Sequence, residues 1–208
     1  PPRRSSDPRK FLTTSALLGL SWNTELEEPA QDFFARAVLE SARKLTEVKM
    51  QEVMNEEIGR AMKGMEDRVY RDTHSDPGVL PGFMPDAGVF VNDIAVVENA
   101  LLLFEYKKSG PLSDSARGQA MSYGLAALSK CRWRRLVFVV LVNCKFLQVA
   151  RVKAGDPREV RYSGELSFTR DEEGNASEGL KVLWHVLRMP RAKLGYYAVP
   201  VPRGAVEA

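Results

Sequence analysis

Two charged residues stand at the end of an apolar run in the middle of the chain. The run 101–104 leads directly into Glu105, Tyr106 and Lys107. An apolar run without glycine or proline predicts a buried strand, and side chains alternate between the two faces of a strand. We therefore expect Glu105 and Lys107 on one face and Tyr106 on the other. A carboxylate beside an ammonium group can bind a metal ion and position a water molecule, or it can form a simple ion pair.

A third charged residue, Asp86, stands at or near the start of the preceding predicted strand, 87–91. The proline before it fixes the backbone where the chain enters that strand. If the two strands pair as a hairpin, Asp86 approaches Glu105 and Lys107 on one sheet face. Two carboxylates and a backbone carbonyl, such as that of Tyr106, form an all-oxygen ligand set that suits Mg²⁺ or Mn²⁺. Such an ion lowers the pKa of bound water and neutralises charge on a scissile phosphate, while Lys107 orients the water.

Two polar residues follow on the next predicted helix, 111–130. Gln119 and Tyr123 are four positions apart, so they share a helix face. Both can face the charged strand end, one fixing a phosphate or a catalytic group and the other contacting a substrate strand. The alternative is that Gln119 lies on the surface and Tyr123 packs the helix on the sheet. Two basic residues nearby, Lys108 and Arg117, can contact phosphate groups.

The surrounding pattern predicts the elements that position these residues. Helical patterns begin at Glu27 and again at about 47, the second extending to about 70, and the segment 72–78 has the composition of a loop. The later elements are predicted as strands 87–91 and 100–107, helix 111–130, strands 136–142, 146–152 and 159–162, and helix 177–187. This order predicts an α/β fold in which helices cover a mixed central sheet. We expect a flexible basic lead at 1–24, one domain at 25–197 and a proline-rich tail or linker at 198–208.

Composition excludes several kinds of site. The 208 residues suffice for one well-buried core with a helical addition. The net charge of +3 permits contact with phosphate without requiring it. Two cysteines provide neither a disulfide framework nor a zinc spacing, so we expect reduced thiols and an intracellular location, in cytoplasm or nucleus. With only two histidines, the chain is poorly suited to a multi-histidine metal site. No apolar run approaches the length of a membrane span.

A basic cluster surrounds Trp133 before the third strand of the central pattern. An aromatic ring among basic residues can stack on a nucleobase. The alternative is a solvated helix end with one packed indole, because basic side chains also suit a helix carboxyl terminus. The cluster consists of Lys130, Arg132, Arg134 and Arg135.

The motifs above resemble those of one large nuclease group. Pro85-Asp86 and Glu105-Tyr106-Lys107 spell the motif of the PD-(D/E)XK nuclease superfamily. Gln119-Ala120-Met121-Ser122-Tyr123 is similar to the Gln-x-x-x-Tyr motif of its RecB-like and phage-exonuclease-like members, and the order of elements resembles the restriction-endonuclease-like α-β-β-β-α-β core with an added helix at about 47–70. The resemblance implies a Mg²⁺-dependent endo- or exonuclease acting on DNA or RNA. It implies that Asp86 and Glu105 bind the metal and that Lys107 positions the attacking water.

The resemblance also assigns a role to an acidic residue near the amino terminus. Many members place an extra acidic residue near the metal, on an amino-terminal helix. Glu28 is the preferred candidate over Glu27, because Glu28 and Gln31 form a Glu-x-x-Gln pattern similar to that of the superfamily. The alternative is that either carboxylate only stabilises the positive end of the helix.

A narrower resemblance covers most of residues 85–197. Several segments are similar to the nuclease-like domain of crinkler-type effectors and fungal-type kinases: Gly118-Gln119-Ala120, 136–140, 162–166 and Leu194-Gly195-Tyr196. In those proteins the domain often precedes a protein kinase domain, and the effectors are delivered into a host cell. This implies an alternative function, a catalytically inactive nuclease-like module that binds nucleic acid or docks a partner, such as an adjoining kinase domain.

Overall fold

The computed structural model describes residues 51–107, 111–155, 158–171, 173–198 and 200. The described residues from Val53 onward belong to one compact unit. Two predicted site residues, Glu28 and Lys108, lie outside the described residues, as do the predicted lead at 1–24 and the helix predicted from Glu27. Most of the predicted tail at 198–208 also lies outside them.

Seven strands of the described chain form one mixed sheet. They are β1 (Val69–Asp72), β2 (Ala87–Phe90), β3 (Ala100–Tyr106), β4 (Leu136–Val142), β5 (Phe146–Lys153), β6 (Glu159–Tyr162) and β7 (Leu166–Ser167). The strand order is β1-β2-β3-β4-β5-β6, and β7 pairs with β5. Strands β3 and β4 are parallel, whereas the other pairs are antiparallel. The predicted α/β class, with a mixed sheet and a hairpin of β2 and β3, is confirmed.

Three α-helices accompany the sheet in the described residues. Residues 51–62 form the described part of α1, and α2 (Asp114–Lys130) and α3 (Glu178–Arg188) follow. Ser113 and Ser177 cap the amino termini of α2 and α3, each accepting a hydrogen bond from a backbone N–H in the first turn. None of the described helices is long and apolar enough to cross a membrane.

Helix α2 connects the two parallel strands, because a parallel pair requires a crossover rather than a tight turn. Its sheet-facing side carries small residues, and Ala116, Ala120 and Gly124 are buried there. A side chain at Gly124 would overlap Val152 of β5. The close approach that the small residues predict is therefore present, and it brings the polar side chains of α2 within reach of β3.

The prediction of a helix at about 47–70 is wrong about where the helix ends. The helix ends at 62, and Gly64 adopts a left-handed conformation with φ of 79°, which is common just after a helix. Val69 and Tyr70 then begin β1, which pairs with β2. Valine and tyrosine favour strands, and pairing with the edge of the β2–β3 hairpin outweighs the helical spacing of the apolar residues before them.

Candidate metal centre

Glu105 lies near the end of β3 with only 4% of its surface exposed. One oxygen, Oε1, accepts a hydrogen bond from Lys107 Nζ at 2.5 Å. The other, Oε2, lies 2.7 Å from the donating hydroxyl of Tyr123. A buried carboxylate is costly without such partners. The two contacts therefore fix both oxygens of Glu105 in place.

A closed ring of hydrogen bonds joins β3 to α2. Lys107 Nζ also donates to Gln119 Oε1 at 2.8 Å, and Gln119 Nε2 donates to the Tyr123 hydroxyl at 2.8 Å. With the two contacts to Glu105, these bonds complete a ring of four side chains. All four are residues that the sequence analysis selected. Gln119 is exposed and Tyr123 is buried, which agrees with the alternative that Gln119 lies on the surface and Tyr123 packs the helix on the sheet. Both residues nevertheless take part in the ring.

The Tyr123 hydroxyl has a third neighbour, the backbone carbonyl of Met84 at 2.9 Å. The hydroxyl has one hydrogen, and the Glu105 carboxylate is both the nearer and the stronger acceptor, so the hydroxyl donates to Glu105 while it accepts from Gln119. Burial and the charge of Glu105 raise the pKa of Tyr123 well above its ordinary value. The hydroxyl therefore remains a hydrogen-bond donor at every physiological pH.

Asp86 is held by the backbone at the point where the chain enters β2. Its N–H donates to Phe104 O at 3.0 Å, and its own carbonyl accepts from Thr73 N at 2.9 Å. Its carboxylate oxygen Oδ2 accepts a hydrogen bond of 2.6 Å from Tyr106 N. Within the described chain, Oδ1 accepts no hydrogen bond, so this oxygen remains available to a ligand.

The electrostatic environment of Asp86 favours a nearby cation. Burial and the negative charge of Glu105 raise the pKa of Asp86 from 3.8 to about 6, although the Tyr106 N–H, Lys107 and His74 oppose the rise. Two carboxylates thus repel each other in a partly buried place, and Lys107 offsets the repulsion only in part. A bound cation would favour the ionised form of both.

The ligand set fits a hard divalent ion. Among the described residues, no group of three or more acidic, histidine or cysteine side chains could hold a metal ion. Mg²⁺, however, often binds through one or two carboxylates and completes its octahedron with water and substrate phosphate. Asp86, Glu105 and the Tyr106 carbonyl offer oxygen alone, which suits Mg²⁺ or Mn²⁺ better than zinc. These residues therefore fit the predicted ion.

Tyr106 projects its side chain away from this site, as the alternation along β3 predicts. Its hydroxyl lies 2.6 Å from the hydroxyl of Tyr70 on β1. Its ring packs against Phe104, 6.2 Å between centroids, whereas Glu105 and Lys107 contact α2. The backbone of Tyr106 therefore faces the site and its side chain supports the opposite sheet face.

Arg117, a predicted phosphate contact, lies further along the sheet. Its guanidinium donates to Gln148 at 3.0 Å, to Asp114 at 3.0 Å and to Glu165 at 2.8 Å. Glu105 pairs in register with Leu141, which pairs with Gln148, so Gln148 is about 10 Å from Glu105 at the usual strand spacing. Arg117 is thus outside the hydrogen-bonded ring, and its phosphate contact stays a prediction.

The basic cluster around Trp133 is not a fully solvated helix end. Arg134 is buried, and its guanidinium lies 5.5 Å from the Trp133 ring centroid and 5.9 Å from that of Tyr196. Burial lowers the pKa of Arg134 to about 10. The alternative of a solvated helix end is wrong for Arg134, because tertiary packing buries this side chain against two aromatic rings.

Three residues that the sequence patterns did not indicate border the site. Thr73 is buried, and its hydroxyl donates to the Pro85 carbonyl at 2.7 Å, which fixes the backbone before Asp86. Nothing in the local sequence distinguishes this threonine from other loop residues. Phe83 and Met84 precede Pro85 and are exposed. The Pro81-Gly82 pair, a turn signature, is the signal that could have drawn attention to them.

The chain matches no protein-family model. It also shows no significant similarity to a curated protein or to a solved structure.

Proposed function

We propose that the chain is a metal-dependent nuclease of the PD-(D/E)XK type, with a restriction-endonuclease-like core, that hydrolyses phosphodiester bonds in DNA or RNA. The observation that carries this proposal is the ring of Glu105, Lys107, Gln119 and Tyr123 beside Asp86. The sequence indicated each of these residues as a candidate for catalysis or metal binding, although they are spread from position 86 to position 123. Their convergence on one point is not required by packing alone.

Asp86 and Glu105, with the carbonyl of Tyr106, would hold Mg²⁺ or Mn²⁺. When bound, the ion supplies an activated water and neutralises charge on the scissile phosphate. The unpartnered Oδ1 of Asp86 and the second lone pairs on the Glu105 oxygens provide the ligand positions. Burial and the negative charge of Glu105 raise the pKa of Asp86, and a bound cation would offset both effects.

Lys107 has the chemistry to position the attacking water. Its ammonium group has three N–H donors, of which Glu105 and Gln119 accept two. The side chain is 32% exposed, so the third N–H can reach a water molecule or a phosphate oxygen. Gln119 and Tyr123 act as positioning residues, since Gln119 holds Lys107 and Tyr123 holds Glu105.

A second candidate function is an inactive nuclease-like module, and the Glu105–Lys107 contact favours it. At 2.5 Å the ammonium already compensates the Glu105 charge without a metal. In that case the chain would bind nucleic acid or dock a partner, such as an adjoining kinase domain of a crinkler-type effector. The two functions differ in whether the protein requires and binds a divalent ion.

Cleavage of labelled single- and double-stranded DNA and RNA, with Mg²⁺, with Mn²⁺ and with a chelator, tests the nuclease proposal. We expect metal-dependent cleavage that Lys107→Ala and Glu105→Gln reduce at least about a hundredfold, the usual effect of removing one stabilising group from a reaction centre. Lys181→Ala is the matched control, because Lys181 is an exposed lysine on α3. Undiminished cleavage by folded Lys107→Ala protein would refute the proposed mechanism, and absence of cleavage on every substrate would favour the inactive module.

A further inference from the structure

A rigid turn borders the candidate metal centre. Phe83 N donates to Leu80 O at 2.8 Å, and Gly82, with φ of 84°, follows Pro81. Proline and then a left-handed glycine at the two central positions are the signature of a type II turn. Leu80 is buried, so it anchors the turn to the core, and the turn holds the residues that follow in a defined position.

This turn presents two large apolar side chains to solvent. Phe83 is 36% exposed and Met84 is 56% exposed, although both stand next to the buried entry into β2. Single exposed apolar residues are common, whereas adjacent ones on an ordered surface often mark a binding site. We call these two exposed residues, Phe83 and Met84, the apolar platform.

The apolar platform is attached directly to the site. The Phe83 ring packs edge-on against the Tyr123 ring, with centroids 6.0 Å apart and planes at 79°. The Tyr123 hydroxyl lies 2.9 Å from the Met84 carbonyl and 2.7 Å from Glu105. A single side chain, Tyr123, therefore links the platform to the carboxylate of Glu105.

We propose that Phe83 and Met84 stack against an unpaired nucleobase beside the scissile phosphate, so that the preferred substrate is single-stranded or locally opened nucleic acid. This inference rests on the proposed nuclease function. Aromatic rings stack on any base through its flat face, and a thioether adapts to such a surface. A base within a duplex already has neighbours on both faces, so only an unpaired base has a free face to offer.

The charges beside the platform favour a nucleotide over an apolar protein partner. Glu105, which contacts Tyr123, is already buried, but Asp86 and Lys107 near it are still partly exposed. An apolar protein surface covering the platform and these two charges would remove them from water at high cost. A nucleotide has an apolar face and an anionic phosphate side by side. Its base can cover the platform while its phosphate meets Lys107 and the metal ion.

The test measures binding in the absence of cleavage. Fluorescence anisotropy with the whole chain, a chelator and low salt, where phosphate contacts are strongest, gives Kd for a labelled single-stranded DNA, the same RNA and the blunt duplex. We expect Phe83→Ala to weaken single-strand binding about tenfold, Met84→Ala to weaken it less, and both to leave duplex binding unchanged. Phe83→Trp should restore single-strand affinity, whereas Phe83→Leu, which keeps an apolar contact with Tyr123, should not.

Tyr197→Ala is the matched control. Tyr197 is also an exposed aromatic residue. It lies two positions after Gly195, which is close to Leu136 at the start of β4, whereas Glu105 pairs with Leu141 near the other end of that strand. The proposed stacking would be overturned if wild type and Phe83→Ala bound single strands with equal affinity. It would also be overturned if Phe83→Ala lost as much affinity for the duplex as for single strands, or if the wild type bound no single strand. Because no metal is present, these outcomes are independent of whether the protein cleaves nucleic acid.

Discussion

Replacing Asp86 by asparagine tests the raised pKa of Asp86 at the candidate metal centre. Burial and Glu105 raise the pKa of Asp86 from 3.8 to about 6. Between these pH values the folded protein binds more protons than the unfolded protein, so the free energy of unfolding falls as pH rises. Asparagine has no charge at any pH, and its Oδ1 can still accept the hydrogen bond that Tyr106 N gives to Asp86. Asp86→Asn should therefore stabilise the metal-free protein at high pH relative to low pH.

The magnitude follows from the pKa shift of Asp86. A pKa unit corresponds to about 1.4 kcal/mol, so the shift of about two units corresponds to about 3 kcal/mol in total. About 2 kcal/mol of this change lies between about pH 4.5 and about pH 8. For a chain of this size, that difference corresponds to about 4–8 °C in the melting temperature.

The assay is urea unfolding of wild type and Asp86→Asn with a chelator at both pH values. Asp76→Asn is the matched control, because Asp76 is an exposed aspartate in the preceding loop whose carboxylate accepts a hydrogen bond from a backbone N–H. We expect the stability of Asp86→Asn relative to wild type to increase with pH, and that of Asp76→Asn to stay constant. Saturating Mg²⁺ should then stabilise wild type by about 2–3 kcal/mol and the Asp86 variant by less. A pH-independent difference between wild type and Asp86→Asn would refute the raised pKa of Asp86.

Two further substitutions test the ring and the fold beneath it. Tyr123→Phe removes the hydroxyl that lies 2.7 Å from Glu105, and it should cost about 1–3 kcal/mol of unfolding free energy and slow cleavage; unchanged urea unfolding would contradict this. Gly195→Ala should destabilise the chain by more than about 1 kcal/mol, because Gly195 has φ of 79° and a Cβ there would overlap the Leu136 carbonyl. Gly164→Ala, where an added Cβ meets nothing within 4 Å, should be nearly neutral, and equal effects of the two glycine substitutions would contradict the argument.

The central strand and helix could be predicted because their signals are local. Alternation along β3 places Glu105 and Lys107 on one face, and a separation of four positions places Gln119 and Tyr123 together on α2. Apolar runs bounded by turn residues likewise predicted β4 and β5. Neither signal depends on distant parts of the chain.

The remaining features depend on contacts between distant segments. Strand β1 forms because Val69 and Tyr70 meet the edge of β2, which the preceding methionine-rich helical pattern does not reveal. Arg134 is buried against Tyr196, which is far from it in sequence, as well as against its neighbour Trp133. The contact between Phe83 and Tyr123 likewise requires the loop before β2 to lie over α2. Such pairs follow from topology rather than from spacing.

Titration calorimetry with Mn²⁺ tests most directly whether Asp86 and Glu105 form one metal centre. We expect saturable binding to the wild-type chain, and loss of that binding in both Asp86→Asn and Glu105→Gln, while the surface variant Asp76→Asn binds as wild type does. Absence of binding to the wild type at about millimolar metal, the concentration range of weak protein sites, would contradict this expectation. Binding that survives both substitutions would contradict it equally.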